Sequence, residues 1–136
     1  AFTLERVIKE RRLVPRYRYN VEVTIYRKAE KCFAGRTSDV SLSGMGLQLT
    51  REVVIALAQG GNLLTPGDHF DVIFSPYVES VDGVIGPTLP ARVRHVRRLS
   101  QHDYHVGVWF EDIDEPQQKA LEGLVAKAVK QSQRTR

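Results

Sequence analysis

Two short motifs in the early part of the chain carry most of its recognisable chemistry. The first, Arg-Arg-Leu-Val-Pro-Arg at Arg11–Arg16, gathers guanidinium groups, which match phosphates and the Hoogsteen edge of guanine. The second, Asp-Val-Ser-Leu-Ser-Gly at Asp39–Gly44, supplies a carboxylate, hydroxyls and a tight glycine turn. A carboxylate can accept hydrogen bonds from the Watson–Crick edge of guanine. Together the motifs indicate a receptor for a guanine nucleotide that carries several phosphates.

The composition is typical of one globular domain. The chain has 136 residues, of which 42% are apolar and 26% are charged, and this length is enough for a hydrophobic core. No apolar run approaches the about 20 residues that cross a membrane. The single cysteine, Cys32, excludes an internal disulfide and fits a reducing cytoplasm. The start at Ala1 suggests a segment cut from a longer chain.

The net charge of +4 is concentrated in three basic segments. A basic surface implies an anionic partner, such as a nucleotide, nucleic acid or membrane headgroups. The simpler interpretation is a solvated basic face, and we favour it for the C-terminal tail but not for Arg11–Arg16. The three segments are residues 6–18, 92–98 and 127–136.

Alternation of apolar and polar residues predicts short strands separated by turns. A short helix is predicted at Val53–Gln59, and a longer one at Glu115–Gln131 with Asp114 as its N-cap. This pattern favours a small antiparallel barrel with a helix packed against it. The predicted strands are Val21–Tyr26, Cys32–Val40, Gly46–Thr50, Phe70–Phe74, Ala91–Leu99 and Tyr104–Phe110.

The motifs and the strand pattern resemble the PilZ domain, the bacterial receptor for cyclic di-GMP. The family pattern, Arg-x-x-x-Arg and then Asp/Asn-x-Ser-x-x-Gly, is matched by Arg12, Arg16, Asp39, Ser41 and Gly44. The resemblance implies a mainly all-β fold, a six-stranded antiparallel β-barrel with a C-terminal α-helix. Within one PilZ domain, we expect an arm at residues 1–18, the barrel at 19–113, and the helix with a basic tail at 114–136.

The resemblance also implies roles for the motif residues. Arg12 and Arg16 would hold phosphate oxygens and guanine O6 and N7, and would stack on the purines, which lysine does poorly. Asp39 would accept from guanine N1–H and the exocyclic amine, and would thereby select guanine over adenine. Ser41 would add a hydroxyl hydrogen bond, and Gly44 would let the backbone approach closely.

Three more residues complete the expected ligand-binding set: Arg11, Gly46 and Trp109. In the family an arginine at the position of Arg11 is associated with an intercalated dimer of cyclic di-GMP, so we expect either one or two ligands per domain. Trp109 alternates away from Val108 and Phe110, and would stack on a base. A tryptophan on the surface or packed on a helix is at least an equal alternative.

These features predict a regulatory receptor and no enzyme, because no nucleophile elbow, P-loop or dinucleotide fingerprint is present. We expect no metal, since no further ligand completes a set around the pair His102 and His105. Cyclic di-GMP is the expected ligand, clasped between the arginine arm and the turn at Asp39. The clasp would reorient the arm and regulate an attached domain or a partner, in exopolysaccharide synthesis such as cellulose, or in flagellar or pilus motility.

Two alternatives stay open. A small basic barrel could bind single-stranded nucleic acid through Tyr17, Tyr19 and Tyr26, although Asp39 is unfavourable beside phosphates, which makes nucleic acid the weaker choice. A degenerate PilZ domain would act through protein contacts, for which Arg51–Gly67 and the C-terminal helix are candidates. We expect a bacterial cytoplasmic location, either as a separate protein or as the cytoplasmic domain of a membrane polysaccharide synthase. The oligomeric state stays open.

Overall fold

The computed structural model describes residues 14–27, 31–58, 62–74 and 88–134. These ranges contain antiparallel strands with a short helix between two of them and a long helix at the end. In chain order the elements are β1 Tyr17–Arg18, β2 Glu22–Arg27, β3 Lys31–Val40, β4 Gly44–Thr50, α1 Arg51–Ala56, β5 His69–Phe74, β6 Leu89–Arg98, β7 Asp103–Phe110 and α2 Glu115–Arg134.

Six strands close into the predicted barrel. The order β3-β2-β5-β6-β7-β4 returns to its start because β4 also pairs with β3. Closure removes the free sheet edges that an open sheet of this size would expose. The strand predictions are confirmed, with bounds that differ by at most two residues. β1 was not predicted: it pairs with β3 through Tyr17 and Arg18, so the sheet already begins within the segment expected to be an arm.

The barrel interior is apolar because each strand turns alternate residues inward. In β7, Val106 and Val108 are buried as the alternation predicts, whereas Trp109 lies on the outer face. The core also takes in α2, whose buried side chains Leu121, Leu124, Val125 and Ala128 recur at helical spacing. Fully enclosed side chains include Ile25, Val40, Met45, Leu47, Leu49, Val72 and Leu89.

The two helices begin at side-chain caps. At α2, Asp114 Oδ1 accepts from the Gln117 backbone N–H at 2.9 Å, and Gln117 Oε1 accepts from the Asp114 N–H at 2.8 Å. This reciprocal capping box confirms the predicted N-cap. α2 then packs against β1 and β3. The short helix starts earlier than predicted, because Thr50 at the end of β4 already caps it by accepting from Val53 N–H.

A β-bulge interrupts β3. Thr37 pairs with Leu47 and Asp39 pairs with Gly46, so Ser38 is an extra residue in β3. Every second residue of β3 faces inward as far as Thr37, so without the extra residue Val40 would face outward. With Ser38 inserted, Val40 is buried. The bulge therefore presents Ser38 and Asp39 together on the outer face.

A second bulge interrupts β6. Val93 pairs with Val108 and His95 pairs with Gly107, so Arg94 is the extra residue. Val93 and Val96 both face the core, although they are an odd number of residues apart. As in β3, the bulge presents two consecutive polar residues, Arg94 and His95, on the outer face.

The bulge in β3 is held by the buried hydroxyl of Thr37. Its Oγ1 accepts from the Val21 backbone N–H at 3.0 Å and donates to the Tyr19 carbonyl. These two backbone groups lie in the gap between β1 and β2, where the ladder with β3 is irregular. Thr37 therefore joins β1 to β2 and keeps both against β3.

Replacing Thr37 with the isosteric valine should leave the Val21 N–H and the Tyr19 carbonyl unsatisfied. We expect Thr37→Val to lower the free energy of unfolding by about 1–3 kcal/mol in urea titrations. Thr24→Val, the same exchange at a half-buried position on the outer face of β2, should change it by less than about 0.5 kcal/mol. Equal effects of the two exchanges would contradict this role of Thr37.

Candidate functional site

The two sequence motifs meet at an ion pair. Arg16 Nη1 contacts Asp39 Oδ1, and both side chains remain partly accessible, with 44% and 27% of their surface exposed. The contact follows from the topology: β1 pairs Arg18 with Asp39, so Arg16, just before β1, lies beside the outer face of β3. An ion pair this exposed contributes only about 0–1 kcal/mol to stability. A ligand could therefore separate the two side chains at low cost.

Asp39 shares its surroundings with two other polar side chains. A Cβ built on Gly46, opposite Asp39 in β4, would lie 2.7 Å from Asp39 Oδ2 and 2.6 Å from both Ser38 Oγ and His105 Nε2. The three polar atoms thus converge above a position that has no side chain of its own. At Gly46, predicted as a site residue, the absence of a side chain leaves room for these three atoms close to the backbone.

His105 stacks on His95 across β7 and β6. The ring centroids are 5.3 Å apart, the ring planes differ by 18°, and His95 Nε2 lies 3.3 Å from His105 Nδ1. Gly107 makes room for this pair, because a Cβ there would lie 2.2 Å from His95 Cε1. Gly46 and Gly107 are paired in register, so the two imidazoles cover a strip of bare backbone.

The charges around His105 are mostly positive. Burial is the largest cause that lowers the pKa of His105, and the neighbouring His95 adds to it. Arg97 and Arg16 act in the same direction, while Asp39 raises this pKa. In the absence of other ions, the surroundings therefore favour the neutral imidazole.

Ser41 is buried and its hydroxyl acts within the turn. Its Oγ accepts from the Ser43 and Gly44 backbone N–H groups at 3.2 and 3.1 Å, and donates to the Gly44 carbonyl at 3.1 Å. The predicted turn is confirmed, and Ser41 fixes its shape. A hydrogen bond from Ser41 to a ligand stays a prediction.

Trp109 lies on the outer face of β7, opposite Gly44. The Arg94 guanidinium carbon stands 5.4 Å from the centre of the Trp109 ring, in a cation–π arrangement. The expected stacking of Trp109 on a base stays a prediction. Arg11 and Arg12 lie outside the described residues.

Sequence reasoning missed four residues of this surface: Ser38, His95, His105 and Gly107. A partial signal existed, because alternation along β7 puts His105, Gly107 and Trp109 on one face. The sequence pattern paired His105 with His102, whereas the structure pairs it with His95. In the part of the chain that the structure describes, no three His, Cys, Asp or Glu residues are grouped as they would be to hold a metal ion.

Comparison with known families agrees with this geometry. A family model described as the PilZ domain matches residues 10–127. The chain belongs to the PilZ domain family, a family of cyclic di-GMP receptors that act as ligand-binding regulatory modules and not as enzymes. No curated protein matches the chain by sequence.

Among the described helices, none is long and apolar enough to span a bilayer.

Solved structures share the fold at low identity. One is the PilZ domain of YcgR from Escherichia coli, solved with cyclic di-GMP. It gives a TM-score of 0.62 at 14% identity, and the match covers 92% of this chain and 96% of the YcgR domain. The K. pneumonia MrkH complex with cyclic di-GMP gives a TM-score of 0.63 at 16% identity over 91% of this chain and 55% of that chain. The Bacillus subtilis inhibitor of motility MotI/DgrA gives a TM-score of 0.60 at 16% identity, over 93% of this chain and 53% of that chain. The chain therefore spans about half the length of the latter two proteins.

The two glycines of β4 should respond differently to alanine. A Cβ at Gly44 would lie 2.2 Å from the Val108 carbonyl oxygen, which is backbone, so we expect Gly44→Ala to lower the free energy of unfolding by roughly 2–3 kcal/mol. At Gly46 the nearest atoms are side-chain ends, which can move. Gly46→Ala should therefore cost about 1 kcal/mol or less in the same urea titration. A larger loss for Gly46→Ala would contradict this distinction.

Proposed function

We propose that this domain is a receptor for cyclic di-GMP. The observation that carries the proposal is the contact between Arg16 and Asp39, one from each family motif, on a surface open to a ligand. The cyclic di-GMP in the E. coli and K. pneumonia structures, whose folds resemble this one, supports the same ligand.

The charges of the site suit this ligand. Cyclic di-GMP carries two phosphates and two guanines, so it offers anionic oxygens to arginines and N–H donors to a carboxylate. In the proposed complex Arg16 turns from Asp39 to a phosphate or a guanine O6/N7 edge, and Asp39 accepts from guanine N1–H and the exocyclic amine. Arg12, Ser41 and Gly44 complete the family set, and Gly46 belongs to the proposed site as the residue beneath the Asp39 side chain.

Two further contacts belong to the proposal. Trp109 stacks on a base, and its outward position next to Gly44 supports this assignment. Arg11 adds a cation for a second, intercalated ligand, which doubles the negative charge to be held.

Ligand binding is proposed to clasp the arginine arm against the barrel. Arg16 lies directly before β1, and β1 is held by both β3 and α2, so a ligand bridging Arg16 and Asp39 joins the arm to a rigid support. The clasp changes the orientation of the arm and thereby regulates an attached domain or a partner protein. The regulated process is motility or exopolysaccharide synthesis such as cellulose.

Isothermal titration with cyclic di-GMP tests the receptor directly. We expect micromolar or tighter binding and no competition by GMP or a single-stranded oligonucleotide. Arg12→Ala, Arg16→Ala and Asp39→Asn should each lose at least about tenfold in affinity, because a charge-assisted hydrogen bond contributes roughly 1.5–3 kcal/mol, and Arg16→Lys should not restore it. The titration also gives the stoichiometry, one or two ligands per domain; a second ligand held by Arg11 should be lost in Arg11→Ala.

Arg36→Ala is the matched control. Arg36 lies on β3 like Asp39, is 50% exposed and pairs with Glu22, so its loss removes a similar cation away from the site. Its affinity should equal that of the wild type. A folded wild-type domain that binds no cyclic di-GMP would instead indicate a PilZ domain that works through protein contacts.

Limited trypsin digestion tests the clasp. Cyclic di-GMP should slow cleavage after Arg11, Arg12 and Arg16 at least about threefold, because the bound arginines are no longer accessible to the protease. Cleavage is followed by mass spectrometry of the fragments. The Asp39→Asn domain, which keeps the arm but should bind poorly, serves as the control and should show no protection. Equal cleavage of the wild-type arm with and without bound ligand would contradict the clasp.

A further inference from the structure

The stacked imidazoles of His95 and His105 lie directly on the backbone of two neighbouring strands, β4 and β7. They lie over the paired glycines Gly46 and Gly107, both of which are buried beneath side chains. Alanine at Gly107 would collide with the His95 ring, since a Cβ there would also lie 2.7 Å from its Nδ1 and Nε2. The pair thus lies directly against the backbone, yet it is only partly enclosed: His105 is half-buried and His95 is exposed.

The pair is next to the proposed contact point of a guanine. One point above Gly46 lies 2.6 Å from His105 Nε2 and 2.7 Å from Asp39 Oδ2, so the two atoms are close neighbours. Any group that Asp39 binds through Oδ2 is therefore adjacent to His105 Nε2. His105 Nε2 points toward the position above Gly46 because the other ring nitrogen, Nδ1, faces His95.

The contact between the two rings links the proton on His105 to the proton on His95. Only one proton can lie between His95 Nε2 and His105 Nδ1. If His105 Nδ1–H donates to His95, the neutral His105 presents an acceptor at Nε2; if His95 Nε2–H donates to His105, the neutral His105 carries its own proton on Nε2. When His105 is protonated, it presents an N–H donor together with a positive charge at Nε2 and keeps the bond to His95. Phosphate oxygens and guanine O6 and N7 are acceptors, so an anionic ligand favours the protonated ring.

The groups that face His105 come from three parts of the fold. Asp39 lies on β3, Arg16 lies just before β1, and His95 and Arg97 lie on β6. The cations and burial lower the pKa of His105 in the free domain, against the opposing effect of Asp39. Phosphates bound near Arg16 would offset this repulsion and raise the pKa of His105. A group with a higher pKa in the complex strengthens binding as pH falls through that pKa.

We propose that His105, supported by His95, is part of the cyclic di-GMP binding surface and takes up a proton when the ligand binds. This inference rests on the proposed receptor function. It makes the stacked pair a determinant of affinity that depends on pH, in addition to the residues of the two family motifs.

The test is titration of the whole chain with cyclic di-GMP across pH. Between about pH 8 and pH 5.5 the wild-type affinity should rise about three- to tenfold, because the bound ligand raises the pKa of His105. His105→Gln should bind more weakly at low pH and lose most of this dependence. At a fixed pH near 6.5, titrations in buffers of different ionisation enthalpy should show net proton uptake by the wild type and much less by His105→Gln.

His102→Gln provides the matched control. His102 is an exposed histidine on the turn between β6 and β7, and its replacement should leave both the pH dependence and the proton uptake unchanged. If His105→Gln keeps the wild-type affinity, pH dependence and proton uptake, the inference is overturned while the receptor function stands. If the folded wild type binds no cyclic di-GMP at any pH, both are overturned.

Discussion

A closed barrel of short strands must keep an apolar face inward along every strand, and this constraint determines where the candidate site lies. β3 and β6 each satisfy it with one extra residue, Ser38 in one and Arg94 in the other. Each bulge restores the inward pattern and presents two consecutive polar residues on the outside. Because β4 and β7 lie between β3 and β6, the two bulges flank the paired glycines Gly46 and Gly107. The polar surface of the site is therefore a product of barrel closure.

The site combines one carboxylate with several cationic side chains. Asp39 contacts Arg16. Asp39 and Arg97 also lie close enough to His105 to influence its pKa. A free phosphate would match the cations but gain nothing from Asp39, and a neutral base would match Asp39 but not the cations. A nucleotide with both groups uses the whole arrangement. In the proposed complex this combination adds a chemical selectivity that net positive charge alone would not provide.

The sequence predicted the barrel strands, the turn at Ser41 and α2 because these depend on local alternation, capping residues and helical spacing. The meeting of Arg16 with Asp39 was accessible only through the family motif, since no local pattern joins β1 to β3. The stacking of His95 on His105 could not be predicted. It depends on the register of β6 against β7 and on a bulge that shifts that register, and both are set by long-range packing.

Trp109 gives the molecule a further property. It is the single tryptophan of the sequence, and it lies beside the Ser41 turn with the Arg94 guanidinium over its ring. The emission of an indole depends strongly on charges and on stacked rings close to it. All tryptophan fluorescence of these 136 residues therefore originates at the edge of the proposed ligand site. The domain thus carries an intrinsic optical reporter of events on that face, without an attached dye or an engineered residue.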